Sequence, residues 1–193
     1  MTDEEFLALN SIYLKKIATS AAVSASTGLP EQAVERVLAG AEASGRVIDV
    51  GQGMLMLSED GVHAVLGEFS ERYAASREDQ VVEDWYKRFE LLNSQFLKVV
   101  TDWQQDGGDL SKLERLLKLV ERQVRALGHI IDRIPRYGVY SQRFTQAIEA
   151  VDKGQIAYLV SPDVDSIHSI WFEFHEDILT VLGRPRDVAE PAE

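Results

Sequence analysis

The chain has no cysteine among its 193 residues, which excludes a disulfide framework, a thiolate metal site and a cysteine nucleophile. Positive charge is scarce: 20 Lys and Arg stand against 32 Asp and Glu, for a formal net charge of −12. So acidic a chain does not bind nucleic acid or anionic membranes through bulk charge. No apolar run approaches the roughly 18 residues of a membrane-spanning helix. Met1-Thr2-Asp3-Glu4-Glu5 is acidic and unlike a signal peptide, so a soluble, cytoplasmic protein with no membrane contact is expected. Chemistry-bearing motifs are missing too. There is no nucleophile motif, no phosphate-binding glycine loop and no dinucleotide fingerprint. Gly51-Gln52-Gly53 and Gly107-Gly108 read as turns without the strand-to-helix context of such loops. A non-enzyme is the expectation.

What is present is a core and an uneven charge. Hydrophobic residues make up 45%, enough for one large domain or two small ones. Residues 111–143 carry eight basic and three acidic side chains, net +5, whereas residues 1–76 are net −6 and residues 144–193 net −7. A local swing of that size implies internal pairing or an anionic partner.

In the first part of the chain, Thr2 and Glu5 have capping-box spacing, and Phe6, Leu9, Ile12 or Tyr13, and Ile17 continue a helical face. Thr19 or Ser20 can cap a short helix over 21–26, which Gly28 breaks. Pro30 suits the first position of a third helix, with Val34, Val37, Leu38 and Ala41 on one side and an end at Ser44-Gly45. Residues 46–50 and 54–57 are short apolar runs around a glycine-rich turn, the pattern of a hairpin. Ser58 then caps a helix through Val62, Val65, Leu66 and Phe69 to about Tyr73.

This order resembles a winged helix-turn-helix domain, and the wording is similar to its MarR-like members. Thr27-Gly28-Leu29-Pro30 resembles the turn into the recognition helix, Ser44-Gly45-Arg46-Val47 its exit into the wing, and Leu57-Ser58-Glu59-Asp60-Gly61 the return from the wing. The resemblance covers about the first 75 residues. It implies a DNA-binding face carrying Lys15, Lys16, Gln32, Arg36 and Arg46. The residues also say something against that. The exposed side of the third helix offers Glu31, Glu35 and Glu42, and carboxylates repel a phosphate backbone. A sequence-specific DNA reader and a winged helix used for protein contact or dimerisation therefore both stand.

Residues 74–80 are a polar bridge. Beyond it, Trp85, Phe89, Leu92, Phe96, Val99 and Trp103 form a stripe of helical spacing. It reads as a core stripe or as the wall of a ring-lined pocket. After a turn at 106–109, Leu110, Leu113, Leu117, Val120, Val124, Leu127, Ile131 and Ile134 predict one helix from 110 to 134, started by a Ser111/Glu114 capping box and stopped by Pro135. Tyr137 to Val151 reads as another helix, followed by a short apolar piece over 156–160. Ser161-Pro162-Asp163 reads as the start of a last helix through Ile167, Trp171, Phe174, Ile178 and Val181. The expected fold is mainly α: a winged helix-turn-helix over 1–76 with a small β-hairpin, an antiparallel helical bundle over 77–183, and a frayed tail over 184–193.

Two constellations carry chemistry. His168, His175 and Asp165, with His129 from a neighbouring helix, are candidate ligands for a divalent metal, the one cofactor the residues allow. Their alternative is bonding to carboxylates or backbone at a helix seam. The second is basic. Arg115, Lys118, Arg122 and Arg125 line one side of the 110–134 helix, with Arg133, Arg136 and Arg143 beyond. Arg122, Arg125, Arg133, Arg136, Tyr137, Arg143 and Trp171 are candidates for a small aromatic or anionic ligand, unless interhelical ion pairs consume the charge. Two readings follow: a homodimeric winged-helix transcriptional regulator whose helical domain dimerises or senses a ligand, and a non-DNA-binding accessory or adaptor subunit that binds a protein partner.

Overall fold

The computed structural model describes residues 1–106 and 109–185, with the backbone alone at Asp106. The chain is mainly helical, with a small three-stranded antiparallel sheet. It divides into two compact units: Met1–Arg77 together with the chain from Glu176 onward, and Glu78–His175. The last helix is divided between the two, at His175 and Glu176.

The first unit runs α1 (Asp3–Lys15), β1 (Ile17–Ala18), α2 (Ser20–Thr27), α3 (Glu31–Ala43), β2 (Val47–Asp49), β3 (Leu55–Leu57) and α4 (Glu59–Arg72). Its helices α1, α2 and α4 start where short oxygen-bearing side chains can take up orphan amides, and α3 follows Pro30 without a side-chain cap. Thr2 accepts from the Glu5 amide, Thr19 from that of Ala22, and Ser58 from that of Gly61. Phe6, Leu9 and Ile12 of α1, Val34 and Leu38 of α3, and Val65 and Phe69 of α4 are buried together with Val47 and Leu57 of the sheet.

The strand order is β1-β3-β2. Val47 pairs with Leu57, while Ile17 and Ile48 both pair with Met56. Side chains alternate across a strand, so Val47 and Leu57 point to the core and the row Ile17–Met56–Ile48 points away from it. The hairpin turn closes with the Val50 amide on the Met54 carbonyl, through Gly51, Gln52 and Gly53, all at positive φ. Gly61 has a packing reason. A Cβ there would lie 2.1 Å from the Arg46 carbonyl oxygen, so only glycine lets α4 start against the strand.

From Glu176 onward the last helix belongs to this unit. Asp177 is fully buried and accepts from the Asn10 amide at 3.4 Å, and the Arg77 guanidinium donates to the Val181 carbonyl at 3.0 Å. The short α5 (Ala74–Glu78) fills the stretch read as a polar bridge.

The second unit holds α6 (Gln80–Asp106), α7 (Leu110–Leu127), a 3-10 turn (Pro135–Tyr137), α8 (Gly138–Asp152), α9 (Ala157–Val160) and the first half of α10 (Ile167–Leu182). Trp85, Phe89, Leu92, Phe96 and Val99 of α6 are all buried. The stripe is core. Phe96 stacks on Trp171 at 4.0 Å, and Trp171 donates its indole N–H to Asn93 at 3.0 Å.

Four local expectations change. The 110–134 helix stops at Leu127, because the amides of His129, Ile130 and Arg133 bond three residues back and tighten the chain into turns. Its inward face is also offset by about one residue. Leu116, Leu119, Val120, Gln123 and Leu127 are buried, Leu113, Leu117 and Val124 are half-buried, and Leu110 is 77% exposed. The cap is Asp109, which accepts from the Ser111 amide, in place of a Ser111/Glu114 box. Finally, α10 begins at Ile167, where Ser166 accepts from the Ser169 amide, and residues 162–165 form turns. The Gly107-Gly108 turn, and the tail from residue 186, lie outside the described residues.

Candidate functional site

Arg143, named as a possible ligand contact, is an internal staple. It lies on α8 at 4% exposure and donates to both carboxylate oxygens of Asp165, at 2.8 and 2.6 Å, and to Glu173 at 2.6 Å. Burial works against its charge. The hydrogen bonds to Asp165 and the charges of Glu173 and Asp165 outweigh it, and hold the guanidinium pKa above its ordinary value. The staple ties the turn before α10 to α10 itself. It leaves no free fork for a ligand.

Three further candidates are engaged within the unit. Arg133 pairs with Asp79 at 3.5 Å, Arg136 lies over the Tyr137 ring at 4.9 Å, and Tyr137 is fully buried against Phe174. Trp171 is locked in the aromatic core.

Arg122 and Arg125 are placed differently. With Leu92, Ala126 and His129 they line a surface groove of about 530 Å³ near the end of α7. Arg122, Arg125 and His129 are exposed. Arg125 has one distant partner, Glu121 one turn back at 3.9 Å. Lys118 has Glu114 at 3.8 Å. Such pairs along an exposed helix contribute only tenths of a kcal/mol. On α7 itself Lys118 and Arg125 pair along the helix, whereas Arg133 and Arg143 beyond it pair with other elements, as the ion-pair alternative expects. Trp85 donates its indole N–H to the Ala126 carbonyl at 2.7 Å, which fixes the last turn of α7 and so the base of the groove.

The histidines do not gather. Among the described residues no three His, Asp or Glu side chains stand where they could hold one ion. Asp165 is taken by Arg143, His175 faces Glu90 at 3.3 Å, His168 is half-buried and His129 is on the groove. The expected set of His129, Asp165, His168 and His175 is thus dispersed. Seven residues of helix separate the two α10 imidazoles by roughly 10 Å along the axis.

On the first unit, Glu31, Gln32, Glu35, Arg36 and Glu42 of α3 are exposed, as expected. Arg46 pairs with Glu5 at 2.7 Å. The Lys16 ammonium stands 4.6 Å from the Tyr13 ring centre, and Lys15 is half-buried. One surface was missed. Ile17, Ile48, Val50 and Met54 are exposed at 45, 46, 48 and 37%, and Met56 lies between the two isoleucines. The outer face of the sheet is apolar. The sequence held the signal: Met54-Leu55-Met56-Leu57 and Val47-Ile48 are continuous apolar runs, where a strand wet on one side alternates.

Among the described residues no helix is long and apolar enough to cross a membrane. No protein-family model, curated protein or solved structure matches this chain.

Proposed function

We propose that the chain is an accessory or adaptor subunit whose first unit is a winged helix-turn-helix turned to protein contact. The element order and the sheet order β1-β3-β2 support the winged-helix reading. The observation that carries the function is the chemistry of the face that DNA would meet. A DNA reader presents cations and amides to phosphates and base edges. Here α3 presents Glu31, Glu35 and Glu42, and the hairpin presents Ile48, Val50 and Met54.

The occupant this surface fits is a partner segment with an apolar centre and a basic rim. The exposed sheet residues offer roughly 300 Å² of apolar surface, the size of a functional patch but well short of the ~800 Å² each side of a stable complex buries. The rest of the contact must come from polar surface, and α3 in the same unit exposes three carboxylates, Glu31, Glu35 and Glu42, against one cation, Arg36. A second copy would set acid against acid, so a different, basic chain is favoured.

The alternative is a winged-helix transcriptional regulator that dimerises and senses a ligand through its helical part. It rests on the module order and on the arginine groove of α7. Fluorescence anisotropy against duplex DNA from the upstream region, at several salt concentrations, separates the two. The adaptor reading expects no binding even at low salt. Tight, sequence-dependent binding that weakens steeply with salt would overturn it.

A further inference from the structure

We infer that the end of α7 is a binding site for a small organic anion: a carboxylate or phosphate group between Arg122, Arg125 and His129, with its apolar body against Leu92 and Ala126. The site is independent of the protein-contact reading of the first unit.

Arg122, Arg125, Ala126 and His129 follow one another at i, i+3, i+4 and i+7, so they share one side of the chain as it leaves the helix. Among the described residues neither the Arg122 guanidinium nor the His129 ring has a hydrogen-bond or ion-pair partner. Both donors are therefore available, in a protein whose net charge is −12. Two guanidinium forks and an imidazole suit a planar carboxylate or a tetrahedral phosphate, because each fork offers paired N–H donors. The groove's volume of about 530 Å³ falls in the range of small-molecule sites.

The negative end of a helix ordinarily repels an anion. Here the carbonyls of Val124, Ala126 and Leu127 are occupied. Val124 and Ala126 accept from the Gly128 amide, Ala126 accepts also from Trp85 and from the His129 amide, and Leu127 accepts from Ile130. What remains facing the groove is cationic side chains over an apolar base. Among the described residues Glu121, 3.9 Å from Arg125, is the one carboxylate pairing with a groove cation, and it competes with the ligand.

The test uses 1-naphthyl phosphate as probe, with 1-naphthol and inorganic phosphate as controls, followed by fluorescence and calorimetry on the full chain. The expected Kd for 1-naphthyl phosphate is on the order of 0.1–1 mM, with both controls at least tenfold weaker. Arg122→Glu and Arg125→Glu each weaken binding about tenfold or more. Glu121→Gln strengthens it about two- to fivefold, because Arg125 loses its competitor. Arg115→Glu makes the same charge change on the same stripe away from the groove, and leaves binding within about twofold. Circular dichroism melting shows that each variant is folded. Absence of binding up to about 10 mM probe overturns the site. So does equal weakening by Arg115→Glu and Arg122→Glu, which would mean a diffuse field, and so does 1-naphthol binding as tightly as its phosphate.

Discussion

Arg143 and Arg122 carry the same guanidinium in the same unit and meet opposite surroundings. Arg143 is 4% exposed and holds two carboxylates, whereas Arg122 stands in solvent on α7 with none. A charge taken out of water needs partners with close geometry, because desolvation costs several kcal/mol. A charge left in water is served by the solvent and stays free to meet a ligand. The arginines that look most alike in the sequence thus divide, by burial alone, into an internal ion pair and an exposed donor. Gln123 is a third case in the same unit: fully buried and, among the described residues, with no hydrogen-bond partner on either side-chain polar atom.

The largest expected effect is at the buried arginine. Arg143→Met keeps much of the side-chain length but leaves Asp165 and Glu173 uncompensated, and should cost about 3–5 kcal/mol of stability in urea unfolding. A loss below about 1 kcal/mol would mean the staple is not a buried ion pair. Gln123→Leu should act in the opposite sense. It replaces an unsatisfied buried amide with an apolar side chain of similar size and should raise stability by about 1–3 kcal/mol. Destabilisation there would show that the amide is bonded in solution.

His168 gives a smaller effect that depends on pH. Burial lowers its pKa below the ordinary 6.5, so the folded state favours the neutral ring. The unfolded chain then takes up a proton that the folded chain refuses. Stability is complete above about 6.5 and falls as pH drops through that value toward the lower folded pKa. His168→Gln should flatten this part of the stability–pH curve. Equal slopes in the two proteins would remove His168 as its source. The smallest effect closes the comparison: Arg122→Ala should change stability by no more than about 0.5 kcal/mol. A large loss would show Arg122 to be structural, like Arg143.

Much of the fold was legible because short-range physics writes it. Thr2, Thr19 and Ser58 cap the helices they were expected to cap, Gly28 ends α2 in a left-handed conformation, and the glycine-rich turn joins β2 to β3. The Trp85–Val99 stripe faced inward as its spacing required. The expectations that changed are those in which a neighbour competes. Pro135 was read as the stop of a long helix. The chain had already left the helix at Leu127, and Ile130 and Ile134 are buried from the turns that follow. Ser161-Pro162-Asp163 has good capping chemistry, yet α10 starts at Ile167, with Asp165 held by Arg143 in the turn before it. The dispersed histidines and the staple share one cause. Spacing along a helix fixes which face a residue occupies but not what stands opposite.

By itself, then, the sequence determined the mainly helical class, the element order apart from β1 and α5, most of the caps and the acidic exposed side of α3. Periodicity and capping act within a few residues, where the chain is its own environment. Only the tertiary structure decided that α10 serves two units, that the α7 face is offset toward Gln123, that Arg143 is spent internally, and that Arg122 and Arg125 are left at an open groove. Each of those depends on burial against residues distant in sequence. There the cost of desolvating a polar group outweighs local preference.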